Sequence, residues 1–217
     1  MSLDGTTDVW IDHNKFSLAG RQFLVSGFNP SGRVTVSNNE FDGVTSWSTQ
    51  CNGKHNWGVM LVGSEDEYTF ANNLVHDMSS RAPKLGQTVT EGTNEHFFHG
   101  YNNVFRDISG HAFDIDTNTN ILLEANVFEG VNEPVTGDSA GRGGHIFIVD
   151  SGSEGTCEEY IGRACLANSA SSSGELPALG DTEALSASQE RVDYIGAPVA
   201  ASEVASLVEA GAGIGKI

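Results

Sequence analysis

Apolar residues recur through the first two thirds of the chain in short runs in which apolar and polar positions alternate. Each run leads into an asparagine and then a further apolar residue. The unit reads Val9-Trp10-Ile11-Asp12-His13-Asn14-Lys15-Phe16, then Val34-Thr35-Val36-Ser37-Asn38-Asn39-Glu40-Phe41, then Tyr68-Thr69-Phe70-Ala71-Asn72-Asn73-Leu74-Val75. It returns as Tyr101-Asn102-Asn103-Val104-Phe105 and as Ile121-Leu122-Leu123-Glu124-Ala125-Asn126-Val127-Phe128. The last asparagines, Asn14, Asn39, Asn73, Asn103 and Asn126, are spaced by 25, 34, 30 and 23 residues. A second set of short apolar runs lies between them, at 21–25, 58–62, 111–115 and 145–149.

The period is two throughout, and no helical stripe fits these segments. Repeats of two or more short strands predict an all-β architecture, the stacked coils of a parallel β-helix sharing one core. The uneven spacing predicts loops inserted at one corner, where such loops usually build a binding face. The recurring asparagines suit a tight corner, because Asn tolerates the left-handed conformation and stacked amides hydrogen-bond from coil to coil. They are read as structural. The pattern stops near Gly155, so the division expected is coils over 1–150 and a C-terminal packing segment over 151–217. Residues 168–190, rich in Ser, Ala, Gly and Glu, predict an extended surface segment. A helix follows, capped by Ser202, with Val204, Leu207 and Val208 on one face and Gly211 at its end.

Composition narrows the function. The chain has 217 residues, with Lys+Arg 11 against Asp+Glu 29 and a formal net charge of −18. Nucleic acid and anionic membranes repel such a surface, so neither is expected as a partner. The longest apolar runs are four residues, too short for a membrane-spanning helix. Glycine at 26 with only 5 prolines fits many tight turns rather than disorder. No basic segment and no apolar stretch opens the chain, so no secretory signal is read there. The three cysteines leave one over, Cys51, while Cys157 and Cys165 share a Gly-rich loop. A phosphate-binding loop, a dinucleotide fingerprint, His-Glu-x-x-His and zinc-type cysteine spacing are all missing. Asp12 with His13 invites an acid–base reading, but within the repeat both read as buried or turn partners. Asp114 and Asp116 read as strand-end and turn residues.

More specific strings occur in order along the chain. They are Asp8-Val9-Trp10-Ile11-Asp12-His13, Gly20-Arg21-Gln22, Cys51-Asn52-Gly53-Lys54-His55-Asn56-Trp57, Ser80-Arg81-Ala82-Pro83-Lys84 and Asp107-Ile108-Ser109-Gly110-His111-Ala112-Phe113. With Gly130, the Cys157–Cys165 loop and the terminal helix, this set resembles the fungal pectin lyases of the pectate lyase superfamily (polysaccharide lyase family 1). The resemblance implies a right-handed parallel β-helix that cleaves methyl-esterified pectin by β-elimination without calcium or any other cofactor. Arg81 matches the family's catalytic arginine and Arg21 its second cleft arginine, where calcium-dependent relatives carry an acidic ligand. Lys84 matches a cleft lysine. Trp57 matches an aromatic that stacks on sugar rings, and on residue type alone it reads equally as core. No metal ligand is implied.

The resemblance begins in the strand leading to Trp10, so it implies the C-terminal part of such an enzyme. The preceding coils and a cleft aspartate would lie upstream of Met1. It implies that Cys51 pairs with a cysteine in that upstream part, that Cys157 and Cys165 form a local disulfide, and that the full-length protein is secreted and monomeric. A stack opened at its N-terminal end would favour aggregation or dimerisation. Two other readings remain: a non-catalytic fragment that binds pectic oligosaccharide, and a pectate lyase.

Overall fold

The computed structural model describes residues 1–86 and 96–216. Six coils stack in order, each with three short strands. The first holds β1 (Ser2–Leu3), β2 (Thr7–Asp12) and β3 (Lys15–Ser17), and the second β4 (Leu24–Ser26), β5 (Gly32–Ser37) and β6 (Glu40–Asp42). The third holds β7 (Val59–Leu61), β8 (Glu67–Ala71) and β9 (Leu74–His76), and the fourth β10 (Lys84–Leu85), β11 (His96–Tyr101) and β12 (Val104–Arg106). The fifth holds β13 (His111–Ile115), β14 (Thr119–Glu124) and β15 (Val127–Glu129), and the sixth β16 (Glu133–Val135), β17 (His145–Ile148) and β18 (Ser169–Ser171). Equivalent strands pair in parallel, giving three six-stranded sheets. This is a parallel β-helix, as the repeats predict, and right-handed, as the resemblance implies.

Alternation of side chains across each strand fills the interior. Ile11, Val36, Phe70, Phe98, Leu123 and Ile148 are among the buried core residues of the second sheet. Phenylalanines stack from coil to coil: Phe16 on Phe41 at 4.8 Å, Phe41 on Phe70 at 5.7 Å and Phe70 on Phe98 at 5.9 Å between ring centroids. Offset ring stacking adds to the burial of these large side chains.

In the first five coils the corner between the second and third sheets is two residues, at 13–14, 38–39, 72–73, 102–103 and 125–126. The left-handed residue is the first of each pair: His13, Asn38, Asn72, Asn102 and Ala125 all have φ near +50°. The asparagine that follows serves the ladder instead. Asn39 gives its backbone N–H and side-chain amide to Asn73 Oδ1 at 2.9 and 3.1 Å. The chain of amides runs from Asn14 to Asn126 and ends on Asn168, which gives the sixth coil its rung. The pattern therefore extends past Gly155. At this corner the last coil inserts residues 149–168, including the Cys157–Cys165 disulfide.

Insertions fall at the other two corners rather than one. Residues 43–58 and 77–83 lead into first-sheet strands, and residues 136–144 lead out of one. The segment at 145–149 belongs to the second sheet, where His145–Ile148 pairs with β14, and not with the first-sheet runs at 58–62 and 111–115.

Beyond the coils, α1 (Glu158–Ile161), α2 (Glu183–Gln189) and α3 (Ala201–Gly211) cover outer faces. Residues 168–190 thus hold β18 and α2 as well as extended chain. Ala184 and Leu185 of α2 pack with Leu122 and Phe147 and with both disulfide cysteines. The cap of α3 is Ala200, two residues before Ser202. Asn102 explains the shift: it accepts from the Val199 N–H at 2.9 Å and donates to the Val199 carbonyl at 2.8 Å, holding the chain extended until the helix begins. Val204 and Val208 are buried against Val104 and Val127, whereas Leu207, three residues on from Val204, is turned to solvent.

Candidate active site

Register builds the site. In the first sheet, Met60, Lys84 and Asp114 stand in one row across three coils, and Leu61, Leu85 and Ile115 in the next. The second row is fully buried. By strand alternation the first row points outward, which sets Lys84 beside Asp114 on the solvent face. Lys84 Nζ lies 3.4 Å from Asp114 Oδ2 and 3.3 Å from Asp116 Oδ2.

Arg81 stands in the corner before β10, with φ +53° and its carbonyl accepting the Val59 N–H at 3.0 Å. This backbone bond ties the corner to the neighbouring coil, and the side chain stays 41% exposed. Its nearest carboxylate oxygen among the described residues is Asp114 Oδ2, 3.8 Å from Nε. Arg142, from the loop after β16, reaches Asp114 Oδ1 at 2.5 Å and the Ile115 carbonyl at 3.1 Å. These residues with Thr117 line a cleft of about 510 Å³. Three cations, Arg81, Lys84 and Arg142, and two carboxylates line it.

Burial alone would raise the Asp114 carboxyl. The Arg142 hydrogen bond and the charges of Lys84, Arg142 and His111 outweigh it and hold Asp114 below the ordinary range. Burial lowers His111, and Arg81 and Lys84 lower it further against the pull of Asp114 and Glu133. The His111 Nε2 is sealed from solvent without a hydrogen-bond partner, so this atom is out of reach of a bound polymer.

Arg21 and Trp57 form a second pair. The Arg21 guanidinium carbon sits 5.8 Å from the Trp57 ring centroid, a cation–π contact. Trp57 lines a groove of about 390 Å³ with Leu18, Ala19, Gly20, Trp47 and Asn56. Arg21, Trp57 and Arg81 occupy the corners before β4, β7 and β10, which stack directly: Phe23 N–H bonds the Gly58 carbonyl at 2.8 Å, and Val59 N–H bonds Arg81. The four residues singled out from the sequence therefore form one strip along successive coils. Arg81 and Lys84 share one cleft, while Arg21 and Trp57 lie beside the other groove. Sequence reasoning missed Arg142 entirely, and it read Asp114 and Asp116 only as strand-end and turn residues. The coil register was the available signal for Asp114; Arg142 lies in a Gly-rich loop with no local motif.

Asp12 and His13 are corner partners: His13 Nδ1 lies 2.5 Å from Asp12 Oδ2, and Asp12 Oδ1 accepts from Ser37 Oγ at 2.6 Å. Among the described residues, one cluster has metal-ligand geometry, Glu40 with Asp42 and His76. Lys15 Nζ already contacts both carboxylates there, each at 2.8 Å.

A family model described as pectate lyase matches residues 1–217. The chain is 49% identical over its whole length to Probable pectin lyase F-1 of Aspergillus terreus and 44% identical to Probable pectin lyase E of Aspergillus fumigatus, covering 56% of each relative. It thus spans about half the length of the curated relatives it matches. Among solved structures, pectate lyase II from Xanthomonas campestris superposes with a TM-score of 0.62 at 19% identity, over 99% of this chain and 64% of that one. A pectate lyase bound to a hexasaccharide gives 0.55 at 20% identity, over 100% and 53%. The family match over the whole chain and the identity to these relatives agree with the coils: the chain belongs to the pectate lyase family.

Proposed function

We propose that this chain carries the catalytic strip of a calcium-independent pectin lyase, which cleaves methyl-esterified galacturonan by β-elimination. The observation that carries the reading is that a half-exposed Arg81 and Lys84 share one cleft. In the reaction a solvent base takes the C5 proton, the C5–H electron pair forms the C4=C5 double bond, and the C4–O4 bond breaks with its pair leaving on O4. The departing O4 takes up a proton. Removing the C5 proton spreads negative charge onto the ester carbonyl, and fixed cations oriented before that charge forms stabilise it best. Arg81 is the residue for this role, because a guanidinium offers a planar fork to oxygen. Lys84 adds a second cation on the same side, and Asp114 and Asp116 orient it. Trp57 offers a ring face for a sugar further along the strip, with Arg21 over the other side of the ring.

A neutral, esterified polymer also suits a strongly acidic chain better than bare polygalacturonate. The Cys157–Cys165 disulfide supports secretion of the parent protein, since such bonds persist in oxidising compartments. The test is incubation of the protein with highly methylated pectin, following absorbance of the unsaturated product. Turnover is expected, and Arg81→Ala is expected to reduce it by about a hundredfold or more with the fold unchanged. A folded protein that forms no unsaturated product overturns the proposal.

A further inference from the structure

Arg142 has no role in the chemistry above, yet it makes the shortest contact to the carboxylate facing Arg81. We propose that Arg142 is a positioning residue: it holds Asp114 by one oxygen, which keeps the Arg81 guanidinium free of a tight carboxylate pair and available to substrate. The activity arm of this inference rests on the pectin lyase reading, whereas its geometric core does not.

Three N–H donors of Arg142 are used within the protein, both of those on Nη1 among them. One terminal nitrogen serves Asp114 Oδ1 at 2.5 Å and the Ile115 carbonyl at 3.1 Å, and the other serves Asp138. Both Nη1 donors are turned onto Asp114 and the Ile115 carbonyl rather than into the open cleft. Arg142 therefore acts on Asp114 rather than on a ligand.

Asp114 is divided between its neighbours. Oδ1 is held closely by Arg142, whereas Oδ2 stands 3.4 Å from Lys84 Nζ and 3.8 Å from Arg81 Nε. A free arginine beside a carboxylate closes into a two-bond pair with N–O distances of about 2.7–2.9 Å. Arg81 does not do so here. Such closure would occupy the guanidinium edge and cancel its charge, and a quenched cation stabilises little developing negative charge. The strong contact to Arg142 turns the carboxylate to the far side and spends its charge there. Lys84 takes a further share. Arg81 is left as the least neutralised of the three cations, on the side where it is exposed.

This arrangement makes a prediction that a merely structural arginine does not. Removing Arg142 should release Asp114 onto Arg81, and removing the Asp114 charge as well should undo the damage. The test uses Arg142→Met, Arg142→Gln and the double variant Arg142→Met with Asp114→Asn in the protein. Arg142→Gln keeps a donor for the Ile115 carbonyl and guards against a loss of folding in the Met variant. In a crystal structure of either single variant, the Arg81–Asp114 separation is expected to close from 3.8 Å to a direct pair. On methylated pectin, kcat should fall about tenfold or more with a smaller change in KM, and the double variant should recover most of that loss. An Arg81–Asp114 separation that stays open in the single variants overturns the proposal, as does a double variant no more active than Arg142→Met. If the parent protein turns over no pectin, the function proposal fails alone, and the crystallographic distance still decides the role of Arg142.

Discussion

Asn73 donates its backbone N–H and its side-chain amide to the same oxygen, Asn103 Oδ1, each at 3.0 Å. Its own Oδ1 receives the equivalent pair from Asn39, and its amide also reaches the Val36 carbonyl at 2.9 Å. One fully buried side chain thus satisfies donors and acceptors from three coils. Asn73→Ala leaves the Asn39 N–H buried without this acceptor, so a loss of about 2–4 kcal/mol is expected in urea unfolding. Asn73→Asp should cost more at neutral pH, because an oxygen replaces the amine that faced the Asn103 and Val36 oxygens. A change below about 0.5 kcal/mol for the alanine variant would show that the ladder is dispensable.

His96 is buried with both ring nitrogens lacking a hydrogen-bond partner, and Asp66 Oδ2 lies 3.9 Å from Nδ1. Burial holds the imidazole down at about 4 and pushes the Asp66 carboxyl up to about 6. The signs oppose. The neutral His96 contributes stability above its unfolded value near 6.5, and this is lost as pH falls through about 4. Asp66 contributes stability below its unfolded value of 3.8, and this is lost as pH rises through about 6. His96→Phe removes the first contribution alone. The variant should therefore gain on the parent as pH drops from 6.5 to 4, by about 3 kcal/mol at 1.36 kcal/mol per pH unit. Urea midpoints at pH 7, 5.5 and 4 check this, and a pH-independent difference would refute it.

The coils were legible because burying one face of a strand imposes a period of two, and the Asn spacing marks each turn of the stack. The site was legible only in part. Arg81 and Lys84 sit three residues apart and were found together through a family string. Asp114 joins them from the next coil, by the register Lys84↔Asp114, which the uneven loop lengths hide. Arg142 comes from beyond β16 and joins them through a single side-chain contact, with no periodicity to announce it. The corner residues illustrate the opposite case. The asparagine pair was visible, but which member takes φ > 0 is decided by where the ladder amide must point.

Glu124 is fully buried and accepts from Arg163 at 2.6 and 3.0 Å, from the Leu166 N–H at 3.2 Å, and pairs with His99 Nε2 at 2.8 Å. Burial raises its carboxyl, but the His99 and Arg163 hydrogen bonds outweigh that and leave it lowered. Its contribution is present above the unfolded value of 4.5 and is lost as pH falls through the lower folded value. Arg163→Ala leaves a buried carboxylate with fewer donors, an expected cost of about 3–5 kcal/mol at neutral pH. The cost should shrink on acidification as Glu124 takes up a proton. Arg163 also donates to the Gly196 carbonyl at 2.6 Å, so amide exchange near Gly196 should quicken in the variant. Equal penalties at pH 7 and at a pH well below 4.5 would reject this account.

Calcium and substrate choice can be tested together. Calcium takes six to eight oxygen ligands, several of them anionic. The carboxylates of the Arg81 cleft, Asp114 and Asp116, both face Lys84, and Asp114 is further held by Arg142. A calcium ion entering there must displace an ammonium and approach two guanidinium groups. At the other end of the strip, Arg21 over Trp57 adds a cation and no oxygen ligand. Calorimetric titration of calcium should therefore show no tight binding in the cleft, and chelator should leave turnover unchanged. A methyl-esterified carboxyl brings no charge for calcium to neutralise, so high-ester pectin should be cleaved faster than polygalacturonate. Loss of activity on chelation, or faster turnover of the de-esterified polymer, would reassign the chain to calcium-dependent pectate cleavage and remove Arg21 from its proposed place in the cleft.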